Sequence, residues 1–333
     1  MRLDASRAQQ FCMQVLQAVC TPEPTARTVA DHLVEADLKG VRSHGVLRLN
    51  KYVDQIDSGY IDNRADIDIR TVSNTLLHVD AHKNWGIVAL QALVPHLAEL
   101  ASANGVAAGA LVNCAHTGRI GAFSEALARN FMWGMLFGGG GNRLLTEVAP
   151  HGGSKGVFDT NPYAFSLPIS EELVSTADFA TSATAQGKVH VYRTNKAQLP
   201  EGWVIDSEGR ATTDPEALYR GGAMLSAGAH KGYGMGFIAE LFGDAALGIP
   251  HELNWFVLAV DLGKLTGRSA YFDHAQQLRQ KIEACPPAQG FDKARWPGQP
   301  EIETETRNSG TIEYSEAELG SLAQLTHRFG IEI

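Results

Sequence analysis

An α/β core flanked at both chain ends by helical segments is the fold class this sequence predicts, on three observations. Apolar residues recur with a helical period through the first 60 positions, short apolar runs alternate with helical stretches from about residue 75 to 260, and a helix-capping signature reappears near the C-terminus. The chain has 333 residues, of which 44% are hydrophobic and 20% charged, which is ordinary globular usage and excludes a disordered chain. Roughly 150 residues per domain makes two domains, or one large one, the expectation.

In order along the chain, Phe11, Val15, Ala18 and Val19 share one helical face. After the break at Pro22 and Pro24, Val29, Leu33, Ala36 and Gly40 repeat that pattern. A third helix is predicted over residues 43–56, with Val46, Leu49, Val53 and Ile56 as its buried stripe and Gly59 closing it. Residues 76–79 then read as a strand, and 85–102 as a helix despite Pro95, ended by Asn104-Gly105. A strand over 106–112, a helix over 120–129 and a strand over 131–137 follow. The alternation continues with a strand over 186–192, a helix over 235–247 and a strand over 255–260. Ser315-x-x-Glu318 is a capping box ahead of Leu319, Leu322 and Leu325. The glycine run 138–141 and the stretch 286–300 read as loops or linkers. The predicted organisation is a helical subdomain from 1–70 and 301–333 around an α/β core at 71–300.

Composition narrows the function. Lys plus Arg number 28 against 37 Asp plus Glu, a net charge of −9, and no basic run of five residues occurs. A nucleic-acid or anionic-membrane partner therefore lacks its electrostatic footprint. The apolar runs 105–112 and 131–137 fall short of the 18 or so residues a spanning helix needs. The start of the chain shows no export signal, and Cys12, Cys20, Cys114 and Cys285 form no Cys-x-x-Cys pair, so a reducing, cytoplasmic setting is expected.

Signatures of several common enzymes are missing: no G-x-G-x-x-G after a strand, no phosphate-binding G-x-x-x-x-G-K-[ST], and no H-E-x-x-H. Residues 152–156 match the G-x-S-x-G hydrolase elbow, but Pro162 follows where that motif needs a helix. More informative is Ser43-His44-Gly45-x-x-Arg48-x-x-x-Tyr52, whose His44, Arg48 and Tyr52 are spaced for one helical face. A titratable imidazole beside a guanidinium that grips a carboxylate at two points suits reduction of a 2-oxo acid, although the same spacing also describes a plain solvated face. Asn113-Cys114-Ala115-His116-Thr117-Gly118-Arg119 falls between a predicted strand and a helix, the junction where α/β sheets bind ligands. Lys231, with Gly232 and Gly234 just before a predicted helix, offers a point charge for a phosphate where glycines permit close backbone approach, although an ordinary loop-to-helix turn reads the same way. The residues alone reach a small-anion site with two histidines.

With the segments Thr160-Asn161-Pro162, Asp178-Phe179-Ala180-Thr181-Ser182, Gly187-Lys188, Pro200-Glu201-Gly202-Trp203, Thr213-Asp214-Pro215, His230-Lys231-Gly232-Tyr233-Gly234 and Pro297-Gly298, in that order, the chain resembles the malate/L-lactate dehydrogenase family of the sulfolactate-dehydrogenase type. That family includes ureidoglycolate dehydrogenase, diketogulonate reductase, hydroxycarboxylate dehydrogenase and the piperideine- and pyrroline-carboxylate reductases. The resemblance implies a large mixed sheet with helices on both faces, a fold that binds NAD or NADP without the Rossmann fingerprint, with the cofactor part at about 121–290. It implies hydride transfer at C2 of a small 2-oxo/2-hydroxy carboxylic acid, with cyclic-imine reduction as the alternative and a non-catalytic dinucleotide-binding protein as the alternative from another class.

Residue by residue, the resemblance makes His44 the proton donor, His116 a second histidine with an assigned catalytic role, and Arg48 and Tyr52 the holders of the substrate carboxylate. Ser43, Gly140, Asp178, Phe179, Ala180, His230, Lys231, Gly298, Gln299 and Pro300 match cofactor contacts. It implies a homodimer and no metal. Arg119 is placed to anchor a second anionic group, and Arg193 and Lys196 to meet a ribose phosphate. The chain departs from the family at 248–254, where relatives carry a glycine-rich loop of about 20 residues, and at 138–141, where glycines replace a proline-containing stretch.

Overall fold

The computed structural model describes residues 2–144 and 146–333. Strand β1 (Arg2–Asp4) leads into helix α1 (Ala5–Ala18), capped by the Asp4 carboxylate, which accepts the Ser6 N–H at 2.9 Å. Helix α1 buries Ala8, Phe11, Cys12, Val15 and Leu16. Ala18 and Val19, expected on that face, fall at the helix end outside the buried set. Helix α2 (Glu23–Leu38) carries Pro24 in its first turn and buries Val29, Leu33 and Ala36 as the spacing predicts, with His32 and Asp37 among them.

The predicted helix at 43–56 is two pieces. A 3₁₀ turn covers Arg42–His44, Gly45 is extended, and α3 runs Arg48–Asp57. His44 therefore does not ride on the helix of Arg48 and Tyr52. The cause is the Asp37 carboxylate, which fills the space a Gly45 side chain would occupy and accepts the Val46 N–H at 3.0 Å.

The middle of the chain holds β2 (Asp68–Ser73), β3 (Leu76–Asp80), α4 (Gly86–Asn104), β4 (Val106–Val112), α5 (Gly121–Arg129), β5 (Met132–Gly139), β6 (Tyr163–Pro168) and β7 (Val174–Phe179). Next come α6 (Gln186–Thr194), β8 (Val204–Ile205), β9 (Ala211–Thr212), α7 (Glu216–Tyr219), β10 (Ala223–Met224) and α8 (His230–Leu241), which continues as a π-helical turn over Phe242–Ala246. The chain finishes with β11 (Asn254–Asp261), α9 (Arg268–Glu283), α10 (Gln299–Asn308), β12 (Thr311–Glu313) and α11 (Glu316–Phe329). The capping box at Ser315 and Glu318 is formed in both directions.

The main sheet has seven strands in the order β2-β3-β4-β11-β5-β6-β7. It is mixed: β2 pairs antiparallel with β3, and β3 pairs parallel with β4 in the register Val79↔Leu111. Strands β1 and β12 pair antiparallel, joining the chain ends, and β10-β8-β9 form a small third sheet. Helix α4, at 19 residues, is long and apolar enough to cross a membrane, which a search for unbroken apolar runs overlooks. Its Ile87, Ala89, Leu90, Leu93, Val94, Leu97 and Ala101 are buried in the core, with Leu93 over Gly109 of β4.

The chain divides into two compact units, one of Met1–Gly134, Phe165–Ala177 and Leu258–Ile333, the other of Met135–Ala164 and Asp178–Val257. In the second unit the stretch predicted as a strand at 186–192 is helix α6. Only its Val189 is buried, against Val148, Phe158, Leu199, Val204 and Met224, so its β-branched residues serve one contact rather than a pleated face. Helix α8 begins five residues before the predicted start. Its glycines are not loop signals: a side chain at Gly232 would overlap the Ala227 carbonyl. The glycine run behaves likewise. Gly138 and Gly139 finish β5, and a side chain at Gly139 would overlap the Ala239 carbonyl of α8.

Candidate active site

The first unit gathers four of the sequence-predicted residues. His116 sits on the loop after β4, and Trp85 on the loop after β3, at the carboxyl ends of two parallel strands. The Trp85 and Ala115 backbones bridge those loops, and the buried Trp85 ring meets the Tyr52 ring edge-on at 5.7 Å. Tyr52 itself is fully buried, so the predicted solvated face of α3 is not one. Its hydroxyl lies 2.7 Å from His116 Nδ1, which places it as an orienting group for that ring. The Gly118 N–H also donates to His116 Nδ1, at 3.2 Å. Nδ1 is therefore an acceptor, and the neutral ring carries its proton on Nε2.

His44 arrives from the 3₁₀ turn and stacks on His116, ring centroids 5.5 Å apart and 18° between planes. Ser43 Oγ is 2.9 Å from His44 Nδ1, and the Ser43 carbonyl accepts Arg48 Nε–H at 2.8 Å. Burial, then the Arg48 charge, drives the His44 pKa down to about 3. Burial, followed by Arg48, His44, Lys51 and His32, also pulls His116 well below the usual imidazole range. Both rings are neutral at pH 7. Every charge that acts on them is cationic, and Arg48 has no carboxylate within ion-pair distance among the described residues. Such a site lacks an anion. A carboxylate at Arg48 would offset the cationic field and raise the proton affinity of both rings.

Arg119, predicted to reach substrate, does not. Its guanidinium is bound to Glu125 at 2.8 and 3.2 Å and to Glu35 at 3.0 Å, and its side chain is 3% exposed. Lys39 joins the cluster at 2.9 Å from Glu125. Burial raises the Glu125 carboxyl, but Arg119 and Lys39 outweigh it and hold it at about 2. The nearby Asp37 accepts from Tyr314 Oη at 2.7 Å and pairs with Arg42 at 3.1 Å, while Arg42 reaches Glu318 at 2.8 Å. His32, Asp37 and Glu125 were invisible as site residues by motif. The available signal was a polar residue on an apolar helical face, at Val29+3 for His32 and Leu33+4 for Asp37.

The predicted cofactor contacts divide between the units. Ser43, Gly298, Gln299 and Pro300 belong to the first. Gly298 takes φ +88 as the residue before α10, close against the Thr176 backbone, so a Cβ there would crowd it. In the second unit Asp178 and Phe179 are exposed at the end of β7 and Ala180 follows. Phe179 stacks at 15° on Tyr163. The Thr181 carbonyl accepts the Ala227 N–H at 2.8 Å, seating this segment on the entry to α8. There Ala229 adopts φ +54, a conformation L-residues avoid, and His230 and Lys231 are exposed in the first helical turn. Gly140, at φ +89, donates its N–H to Glu240 at 2.9 Å. The same carboxylate accepts from Asn142 N–H at 3.2 Å, Asp159 N–H at 3.2 Å and Asn161 Nδ2 at 2.8 Å. Glu240 went unpredicted. The short 248–254 connection is closed by Asn254 Nδ2, bonded to the Gly243 and Gly248 carbonyls at 2.9 and 2.7 Å. The G-x-S-x-G stretch lies in turns and leads into no helix, so it is not a nucleophile elbow.

The malate/L-lactate dehydrogenase family profile matches residues 3–323. The chain is 30% identical, over 97% of its length and 96% of the relative's, to a Delta(1)-pyrroline-2-carboxylate/Delta(1)-piperideine-2-carboxylate reductase of Pseudomonas putida. It is 29% identical to the ureidoglycolate dehydrogenase (NAD(+)) of Escherichia coli O157:H7, covering 82% of this chain and 81% of that one. Among solved structures, the sulfolactate dehydrogenase of Methanocaldococcus jannaschii superposes with a TM-score of 0.90 at 26% identity, over 100% of this chain and 98% of that one.

Proposed function

This chain belongs to the malate/L-lactate dehydrogenase family, and from that premise we propose that it is a nicotinamide-dependent oxidoreductase moving a hydride between its cofactor and C2 of a small 2-oxo/2-hydroxy carboxylic acid. The observation that carries the reading is Arg48, without an acidic partner among the described residues, beside two stacked neutral histidines. Arg48 binds the substrate carboxylate. His44 and His116 lie next to it, and a neutral imidazole accepts the hydroxyl proton during oxidation and, once charged, returns it to the oxygen during reduction, a step worth about 10²–10⁴-fold. Tyr52 keeps His116 Nδ1 occupied so that Nε2 faces the reaction.

Residues fit for a dinucleotide are present. The α8 start offers the positive end of the helix dipole and the exposed Lys231 charge for a diphosphate, and Phe179 offers an exposed aromatic face. Asp178, Ala180, Gly140 and His230 complete the set in that unit, while Ser43, Gly298, Gln299 and Pro300 are candidates within the first unit by themselves. The bound nicotinamide supplies or takes the hydride. We assign cofactor binding chiefly to the unit of Met135–Ala164 and Asp178–Val257. A reducing setting, supported by four free cysteines, and a homodimer are both part of the proposal, and size-exclusion with light scattering tests the dimer.

The test is to mix the protein with NADH or NADPH and a panel of 2-oxo acids and cyclic imines, following loss of the reduced nicotinamide. Turnover of an oxo acid is expected. Turnover of imines alone would favour the second reading, which the end-to-end similarity to the Pseudomonas putida reductase supports. Absence of cofactor binding would overturn both.

A further inference from the structure

We propose that His32 is a positioning residue: by accepting the Arg119 backbone N–H it locks the 116–119 loop and thereby fixes which nitrogen of His116 carries the proton. The proposal rests on the reading of His116 as a proton-handling group. His32 lies on α2, is 8% exposed, and stacks on Phe123 of α5 at 5.3 Å and 13°. Its Nε2 is 2.9 Å from the Arg119 N–H donor, which requires an unprotonated Nε2 and a proton on Nδ1. Between the two histidines stands Gly118, at φ +69, where a side chain would overlap His32 Nε2. The loop therefore closes down on the His32 ring, and in that conformation the Gly118 N–H points at His116 Nδ1.

Two consecutive peptide N–H groups thus serve two histidines. Arg119 N–H ends on His32 and Gly118 N–H ends on His116, so each of the two adjacent peptides is held by its own bond to a histidine. The Arg119 side chain is held separately by Glu125 and Glu35, so the loop is pinned at the guanidinium and again at the backbone. A histidine kept only for core packing would be replaceable by leucine. Here leucine would leave a buried N–H without a partner, and the loop would turn to satisfy it. Burial first, and the Arg119 charge second, drive the His32 pKa down to about 3, so the acceptor persists across the working pH range.

Nitrogen-15 spectra of the imidazoles in the full-length protein at pH 7 give the first measurement. The expected pattern is His32 protonated on Nδ1 and His116 on Nε2, and the opposite tautomer at either ring would overturn the proposal. This outcome is independent of whether any substrate is turned over, so it separates failure here from failure of the proposed reaction. His32→Gln supplies an amide oxygen near the Nε2 position, whereas His32→Leu supplies none. With an accepted substrate, His32→Leu is expected to lower kcat by about 10- to 100-fold with KM within about 2-fold, and to give His116 a mixture of tautomers. His32→Gln should return kcat to within about 3-fold and restore the single His116 tautomer. Unchanged His116 signals in a folded His32→Leu variant would overturn the assignment. If that variant does not fold, His32→Gln decides: a wild-type His116 signature supports the role, and a mixed one refutes it.

Discussion

The two units hold their functional groups in place by different physics. Around His44 and His116 the scaffold is buried side-chain charge, with Asp37 and Arg42 behind the 3₁₀ turn and Arg119, Glu125 and Lys39 behind the 116–119 loop. In the second unit the scaffold is backbone. Three peptide N–H groups and one amide converge on Glu240, and the glycines of 138–141 and Gly243 let main chains touch. A charge scaffold is sensitive to protonation and is repaired by isosteres. The glycine contacts of the second unit carry no titratable group and do not tolerate one added methyl, whereas the donors around Glu240 depend on a carboxylate.

The sharpest way to break this contrast is Glu240→Leu, which orphans four donors at once. At roughly 1–3 kcal/mol per unmet buried group, the loss is expected to be about 4 kcal/mol or more, read as a lowered urea midpoint. A loss under about 1 kcal/mol would mean that Glu240 is not the organising group. Next in size is Arg48→Ala, which removes a two-point carboxylate grip. It should cost about 3 kcal/mol, or roughly 10²-fold in kcat/KM, mostly through KM and with unchanged melting. If kcat alone fell, Arg48 would be acting on the chemistry rather than on binding.

Gly139→Ala forces a methyl into the Ala239 carbonyl and is expected to cost about 2 kcal/mol by thermal unfolding. The shift should be the same at pH 5 and pH 8, as a backbone scaffold requires. Smallest per pH unit is the acid slope of the first unit. His32 is held neutral at a folded pKa of about 3 against about 6.5 unfolded, so the unfolded chain binds more protons between those values. Its stability contribution is complete above pH 6.5 and declines by up to about 1.4 kcal/mol per pH unit toward pH 3. Glu125 adds to the decline at lower pH, its contribution present above 4.5 and lost toward 2. Urea titrations from pH 7 to 5 should therefore slope, and His32→Gln should flatten part of that slope. An identical slope in the variant would place the acid sensitivity elsewhere.

Much of this molecule is determined by the linear sequence. Helices α2, α4 and α11 follow from apolar spacing with Gly105 and the Ser315 box at their ends, and strands β3, β4 and β11 from short apolar runs. These signals are local, so periodicity and caps suffice to read them. His44 and Arg48 were singled out by their spacing and His116 by its place between a strand and a helix.

Contacts remote in sequence decided the rest. The break after His44 depends on Asp37 occupying the space beside Gly45. The helical state of 186–194 depends on Val189 finding Phe158 and Met224, and the glycines at 138–141 and in α8 are close-approach surfaces that look like loop signals in one dimension. Arg119 appears free for substrate until Glu35 and Glu125 are folded against it, and Tyr52 appears exposed until Trp85 and His116 cover it. Which charge is spent inside the protein, like that of Arg119, is a property of partners, and only the tertiary structure supplies partners.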